Sequence, residues 1–181
     1  MTLYVALLRA INVGGKNPVA MPSLGELLDR LGFLNPRTVL QSGNLVFQAK
    51  AGTAKQIEEV LGMEAALQLG LKTDFMVRTA AEWRAVVAGN PFPEAAAQDP
   101  GHLVVLFLKN TPSAKDVEAL QTAIQGPEVI RAYGKQLYVV YPNGIGRSKL
   151  TTSFIERALG IHGTARNWNT VLKIKTLLNV E

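Results

Sequence analysis

The chain has 181 residues, 48% of them hydrophobic and 18% charged, with no cysteine and a formal net charge of +5. That length and apolar content allow one large domain or two small ones with a real core, and they exclude a disordered chain. The missing cysteine excludes disulfides, thiolate metal sites and cysteine nucleophiles; no window approaches the roughly 20 apolar residues of a membrane span, and the apolar run Leu3–Leu8 is too short for a signal peptide, so a cytoplasmic protein is expected.

Leu3–Ala10 is short and apolar with Tyr and Val, the pattern of a strand. Ile11–Ala20 is a polar loop centred on Gly14-Gly15, where paired glycines permit positive φ and a concavity of backbone N–H groups. Ser23-Leu24-Gly25-Glu26 fits a capping box that opens a helix with Leu24, Leu27, Leu28 and Leu31 on one face, ended by Gly32. Arg37–Leu40 and Leu45–Gln48 are strands around Ser42-Gly43-Asn44, a hairpin-type turn. Thr53–Leu69 is helical and Lys72–Val77 is a strand, so residues 1–78 read β-α-β-β-α-β, the ferredoxin-like order.

Ala80–Ala88 is a short helix, and Asn90–Gly101, with three prolines, is a loop and the best boundary. His102–Lys109 is a strongly apolar strand. Ser113–Ile124 is a helix capped by Ser113 with Asp116 in the reach-back place. Glu128–Ala132 and Gln136–Tyr141 form a hairpin about Tyr133-Gly134-Lys135. A helix follows from Thr152 or Ser153, with Glu156 completing the box and Gly160 as its stop. Asn167 or Asn169 caps a final helix bearing Val171, Leu172, Ile174, Leu177 and Leu178. The expected fold class is α+β: two ferredoxin-like-related βαββα subdomains packed into one compact unit. Residues 1–78 form the first subdomain, 79–101 a helix and Pro-rich connection, and 102–181 the second subdomain with a C-terminal helix.

Charge is concentrated late. Residues 131–181 carry eight basic side chains against two acidic ones, a net +6, and the rest of the chain nets −1. Arg147 and Lys149 sit on a Gly144/Gly146 loop just before the helix that begins near Thr151, Thr152 and Ser153. Unpaired N–H groups, the positive end of a helix dipole and two cations favour an anion there. Arg166, Asn167, Trp168 and Asn169 repeat the arrangement, and a planar guanidinium fork can hold a carboxylate or phosphate. Asn12, Gly14, Gly15 and Lys16 in the first loop, and Ser42 and Asn44 in the third, are the remaining candidates. Each of these residues also has an ordinary structural use as a cap, a turn former or a core filler. No complete phosphate-binding motif is present.

Other chemistries find little support. The two histidines, His102 and His162, lie far apart in sequence without metal-ligand spacing, and no Gly-x-Ser-x-Gly elbow surrounds a serine. No metal or cofactor is expected. An RNA-recognition motif needs aromatic rings on its third strand. SGNLVFQA lacks them, and Tyr138 and Tyr141 recover only part of the pattern in the second half.

The segments NVGGKN, QSGN, SKLTTSFIER and TARNWNT occur in that order. With them the chain resembles the domain-of-unknown-function family 1697 of bacterial proteins, from end to end. The matching positions are Asn12, Val13, Gly14, Gly15, Ser42, Gly43, Asn44, Lys149, Thr151, Thr152, Arg166, Asn167, Trp168, Asn169 and Thr170. The resemblance implies a cytosolic α+β protein with ferredoxin-like substructure, and no substrate, cofactor or reaction.

The leading expectation is a binding module whose polar loops converge in a basic cleft on nucleic acid or a nucleotide. Arg147, Lys149 and Arg166 would supply charge, Gly14 and Gly15 backbone donors, and Trp168 a stacking surface. The alternatives are an enzyme acting on an anionic small molecule, such as a phosphorylated one, in the same cleft, or a structural protein whose polar motifs are caps and ties.

Overall fold

The computed structural model describes residues 1–50 and 52–178. Eight strands and seven α-helices occur among them, in two compact units: residues 1–85 with the stretch beginning at Ile174, and residues 86–173.

In the first unit, β1 (Thr2–Leu8), α1 (Met21–Arg30), β2 (Leu34–Val39), β3 (Asn44–Ala49), α2 (Ala54–Leu69) and β4 (Phe75–Thr79) lead into α3 (Ala80–Ala88). The sheet is antiparallel in the order β2-β3-β1-β4, the ferredoxin-like arrangement. Period-2 alternation sends Tyr4, Ala6 and Leu8 to one face. There they join Leu45, Phe47, Phe75 and Val77 in one core with Leu24, Leu27 and Leu28 of α1 and Ile57, Leu61 and Ala65 of α2. The opposite face carries Val5, Leu7, Val46 and Met76, also buried, together with Arg78.

The second unit repeats this plan. After α4 (Pro93–Gln98) come β5 (Leu103–Leu108), α5 (Ala114–Ala123), β6 (Val129–Tyr133), β7 (Gln136–Val140), a 3-10 turn (Ile145–Arg147), α6 (Thr152–Leu159), β8 (Gly163–Asn167) and α7 (Trp168–Leu178). Its sheet runs β6-β7-β5-β8, the same permutation, again antiparallel. Val104, Leu106, Leu108, Leu137 and Val139 face Leu120 of α5 and Ile155 and Leu159 of α6.

The repetition extends to single residues. Across the first sheet one row reads Arg78–Val5–Val46–Arg37. Across the second the equivalent row reads Arg166–Val105–Tyr138–Arg131. In each sheet the arginine on the last strand is buried and the one on the edge strand is exposed. Sequence comparison of the halves does not show this, because the loops between the strands differ in length.

Several local expectations change. The first helix starts at Met21 with a proline in its first turn, so Ser23 and Glu26 form no capping box. Pro93 likewise opens α4 inside the stretch expected to be loop, since proline's fixed φ suits a first helical position. Residues 163–167, expected as loop, are β8, which completes the second four-stranded sheet. Thr53 and Ser113 do cap their helices, Thr53 in a full capping box with Gln56.

Tyr138 and Tyr141 of the second unit are buried, and their hydroxyls donate to the Val86 carbonyl at 2.7 Å and the Leu150 carbonyl at 2.9 Å. Neither ring offers a stacking platform. Burial pushes the Tyr138 phenol up from 10.0 to about 12 and raises Tyr141 further. The fold favours both phenols neutral. Their contribution is therefore flat below about pH 10, and stability falls as pH rises above it, where the unfolded chain ionises first. Spectrophotometric titration of the native protein is expected to show the Tyr138 and Tyr141 phenols ionising only well above pH 10 or on unfolding.

Candidate functional site

The first polar loop of unit one is a small hairpin. Val13 and Lys16 pair across Gly14 (φ +57) and Gly15 (φ +73), and the Lys16 N–H donates to the Val13 carbonyl at 3.0 Å. Positive φ at both central positions is a type I′ turn, which glycine alone enters without cost. Residues 12–18 are exposed. Asn12 ties this hairpin down: its amide donates to the Val19 carbonyl at 3.1 Å and the Gln41 carbonyl at 3.0 Å, and its carbonyl accepts the Val19 N–H at 2.9 Å. The structure thus brings the Asn12 and Gln41 loops together. In the latter, Asn44 is fully buried and donates to the Val39 carbonyl at 2.6 Å and to Ser42 Oγ at 3.0 Å.

In unit two, the segment between β7 and α6 alternates inward and outward. Ser148 points in: its hydroxyl donates to the buried Glu128 carboxylate and accepts the Leu150 N–H at 2.9 Å. Leu150 is buried in the core. Arg147 and Lys149, on either side of Ser148, are exposed, and no ion pair engages them among the described residues. Two residues on, Thr151 caps α6 by accepting the Phe154 N–H at 3.1 Å. Thr152 is the first helical residue, and Glu156, far from any capping box, accepts the Gly163 N–H at 2.8 Å.

Arg166 is placed differently. It lies on β8 beside Val105, 6% exposed, and its guanidinium donates to Thr164 Oγ1 and the Ala165 carbonyl, each at 2.8 Å. Burial lowers its pKa from 12.5 to about 10. Arg78 of unit one, its counterpart in the repeated row, donates to the Val77 carbonyl at 2.9 Å. Its pKa is lowered by burial, against the opposing charges of Glu58 and Glu82. Asn167 caps α7 through the Thr170 N–H and hydroxyl, both at 3.0 Å, while Trp168 is buried and Asn169 exposed.

Sequence reasoning passed over one pair in unit two. Asp99 Oδ2 lies 2.7 Å from His102 Nδ1, and both side chains are about half exposed. The contact is bent away from a straight hydrogen bond, so it is chiefly a charge beside the ring. The other edge of that ring lies against the turn that carries Arg147: a Cβ on Gly144 would stand 3.3 Å from His102 Nε2. Asn169 approaches the same bend, its Nδ2 4.0 Å from where a Cβ on Gly101 would be. The signal was an Asp-x-x-His spacing in a proline–glycine bend. A groove of about 510 Å³ along α5 and β6, lined by Val117, Gln121 and Ile130 among others, contains none of the predicted residues. No three His, Cys, Asp or Glu side chains gather as a metal would require among the described residues, and no helix is long and apolar enough to cross a membrane.

A family model described as a protein of unknown function (DUF1697) matches residues 1–138. The match stops short of SKLTTSFIER and TARNWNT, so the expected end-to-end extent is not reached by the family model. Nearly the whole chain is similar in fold to a solved structure, the conserved bacterial protein SP0830 from Streptococcus pneumoniae. That protein is 24% identical, with 98% of this chain and 99% of that one covered and a TM-score of 0.74. No curated protein matches the chain.

Proposed function

The chain belongs to the DUF1697 family, and we propose that the protein binds a phosphate-bearing ligand, a nucleotide or nucleic acid, at the 144–152 segment of its second unit. The observation that carries this is the outward pair Arg147 and Lys149. Both are exposed, neither is ion-paired among the described residues, and they lead directly into the N-terminus of α6. Exposed cations beside the positive end of a helix dipole attract an anion. Arg166 and Trp168 are buried within the fold. Asn12, Asn44 and Asn167 shape loops and a helix end.

The test is a titration of labelled single-stranded RNA, DNA and nucleotides over a range of salt. Phosphate contact makes log affinity fall linearly with log salt, by about 0.7 per contact on single strands. The double variant Arg147→Ala, Lys149→Ala is therefore expected to weaken binding and flatten the slope by about 1.4. Absence of wild-type binding at low salt to every one of these ligands would overturn the reading.

The Asp99–His102 pair favours a second reading, in which the same ligand is also acted upon.

A further inference from the structure

Building on the phosphate-binding reading above, we propose that the Asp99–His102 pair and the Gly144–Lys149 segment form a catalytic site for RNA, in which His102 takes the proton of a 2′-hydroxyl as it attacks the neighbouring phosphodiester.

The geometry gives the imidazole two different edges. Nδ1 is shielded from solvent with the Asp99 carboxylate 2.7 Å away. A negative charge on that side favours the tautomer protonated at Nδ1 and leaves the Nε2 lone pair as the acceptor. Nε2 has no protein partner among the described residues and faces Gly144. Gly144 holds φ +81 and has no side chain, so nothing from that position crowds the ring. Its carbonyl accepts the Arg147 N–H at 3.3 Å, so the start of the cationic pair lies on the turn that the ring faces. The pair sits on a turn closed by the His102 N–H donating to the Asp99 carbonyl at 3.1 Å, and, half exposed, it contributes little to stability.

RNA is the class whose reaction needs only what these residues offer. The O2′–P bond forms and the P–O5′ bond breaks. The 2′-hydroxyl proton passes to His102 Nε2, and Arg147 and Lys149 offset the charge that builds on the phosphorane oxygens. The departing 5′-oxygen takes a proton from water, and the imidazolium returns its own to the hydroxide so formed. The products are a 2′,3′-cyclic phosphate and a 5′-hydroxyl, with no net uptake of water and no further reactant. DNA, lacking the nucleophile, is bound and left intact. Asp99 acts through the ring, as a positioning residue.

The experiment uses the full chain with an end-labelled RNA oligonucleotide and its 2′-deoxy counterpart, with products resolved by end group and binding measured in parallel. Expected are cleavage of RNA alone and a cyclic phosphate end. His102→Gln is expected to lose at least about 100-fold in rate with binding retained. Asp99→Asn should lose less and shift the pH profile of the rate. His162→Gln, outside the site, should match wild type, which distinguishes the protein's own activity from a contaminating nuclease. Should His102→Gln fail to fold, His102→Asn makes the same measurement. RNA that is bound through Arg147 and Lys149 but not cut, or is cut equally by the His102 variant, overturns the catalytic inference and leaves the binding reading standing. Absence of binding overturns both.

Discussion

Gly43→Ala is expected to destabilise the protein by about 2–5 kcal/mol, combining roughly 1–2 kcal/mol for left-handed backbone with about 1–3 kcal/mol for overpacking. Gly43 holds φ +78, a conformation that an L side chain resists. A Cβ there would also stand 2.5 Å from Ile11 Cδ1 and 3.0 Å from both Ile11 Cγ1 and Leu8 Cβ. Ile11 is 2% exposed and Leu8 1%, so neither can swing into solvent to make room. The Gly43 carbonyl accepts the Leu8 N–H at 2.9 Å, so moving the turn away from Ile11 would break the end of the β1–β3 pairing. Urea unfolding measures the loss. Gly14→Ala is the comparison, because that glycine shares the positive φ but has nothing within 4 Å of the added carbon; the smaller backbone cost alone is expected there.

Arg166→Ala is expected to cost about 3 kcal/mol, since each hydrogen bond from a charged group to a buried acceptor is worth roughly 1.5–3 kcal/mol and a void is added. The Thr164 hydroxyl and the Ala165 carbonyl both lose their guanidinium donor. For a chain of this length the melting temperature should fall by roughly 10 °C. Arg166→Met fills most of the space and removes the charge whose burial lowers the pKa to about 10. It is expected to recover much of the loss, because a desolvated cation is itself unfavourable. Thermal melts of the two variants settle the contrast. If Arg166→Ala melts like wild type, the guanidinium is not a structural tie, and a role toward ligand regains its place.

Fold class was readable because alternation and capping are local. Ala80–Ala88 was bounded correctly from sequence, and the Ser113 cap and the Gly160 stop stand as expected. β8 was missed because Gly163–Asn167 has one arginine, one asparagine and no large apolar residue, so its membership comes from pairing with β5 and not from its own composition. That omission carried a second one. Arg166 looked like a loop cation poised before a helix, whereas strand alternation turns it inward with Thr164. Pro93 misled in the opposite sense, since it starts a helix inside a stretch read as loop. The outward pair Arg147 and Lys149 was legible, but the inward pull of Ser148 on Glu128 that makes it outward was not, because Glu128 lies 20 residues away. His102 was discounted for the same kind of reason: Gly144, which one edge of its ring faces, comes from the distant turn after β7.

The matched rows Arg78–Val5–Val46–Arg37 and Arg166–Val105–Tyr138–Arg131 mean that the protein contains its own blank. Where the first copy joins its third strand to the next helix with residues 50–53, the second inserts 141–151, and where the first has 9–20 after its opening strand, the second manages with 109–113. The long joint thus falls at a different place in each half. Of what belongs to the second half alone, Arg147 and Lys149 sit on its longer joint and the Asp99–His102 pair on the bend before β5.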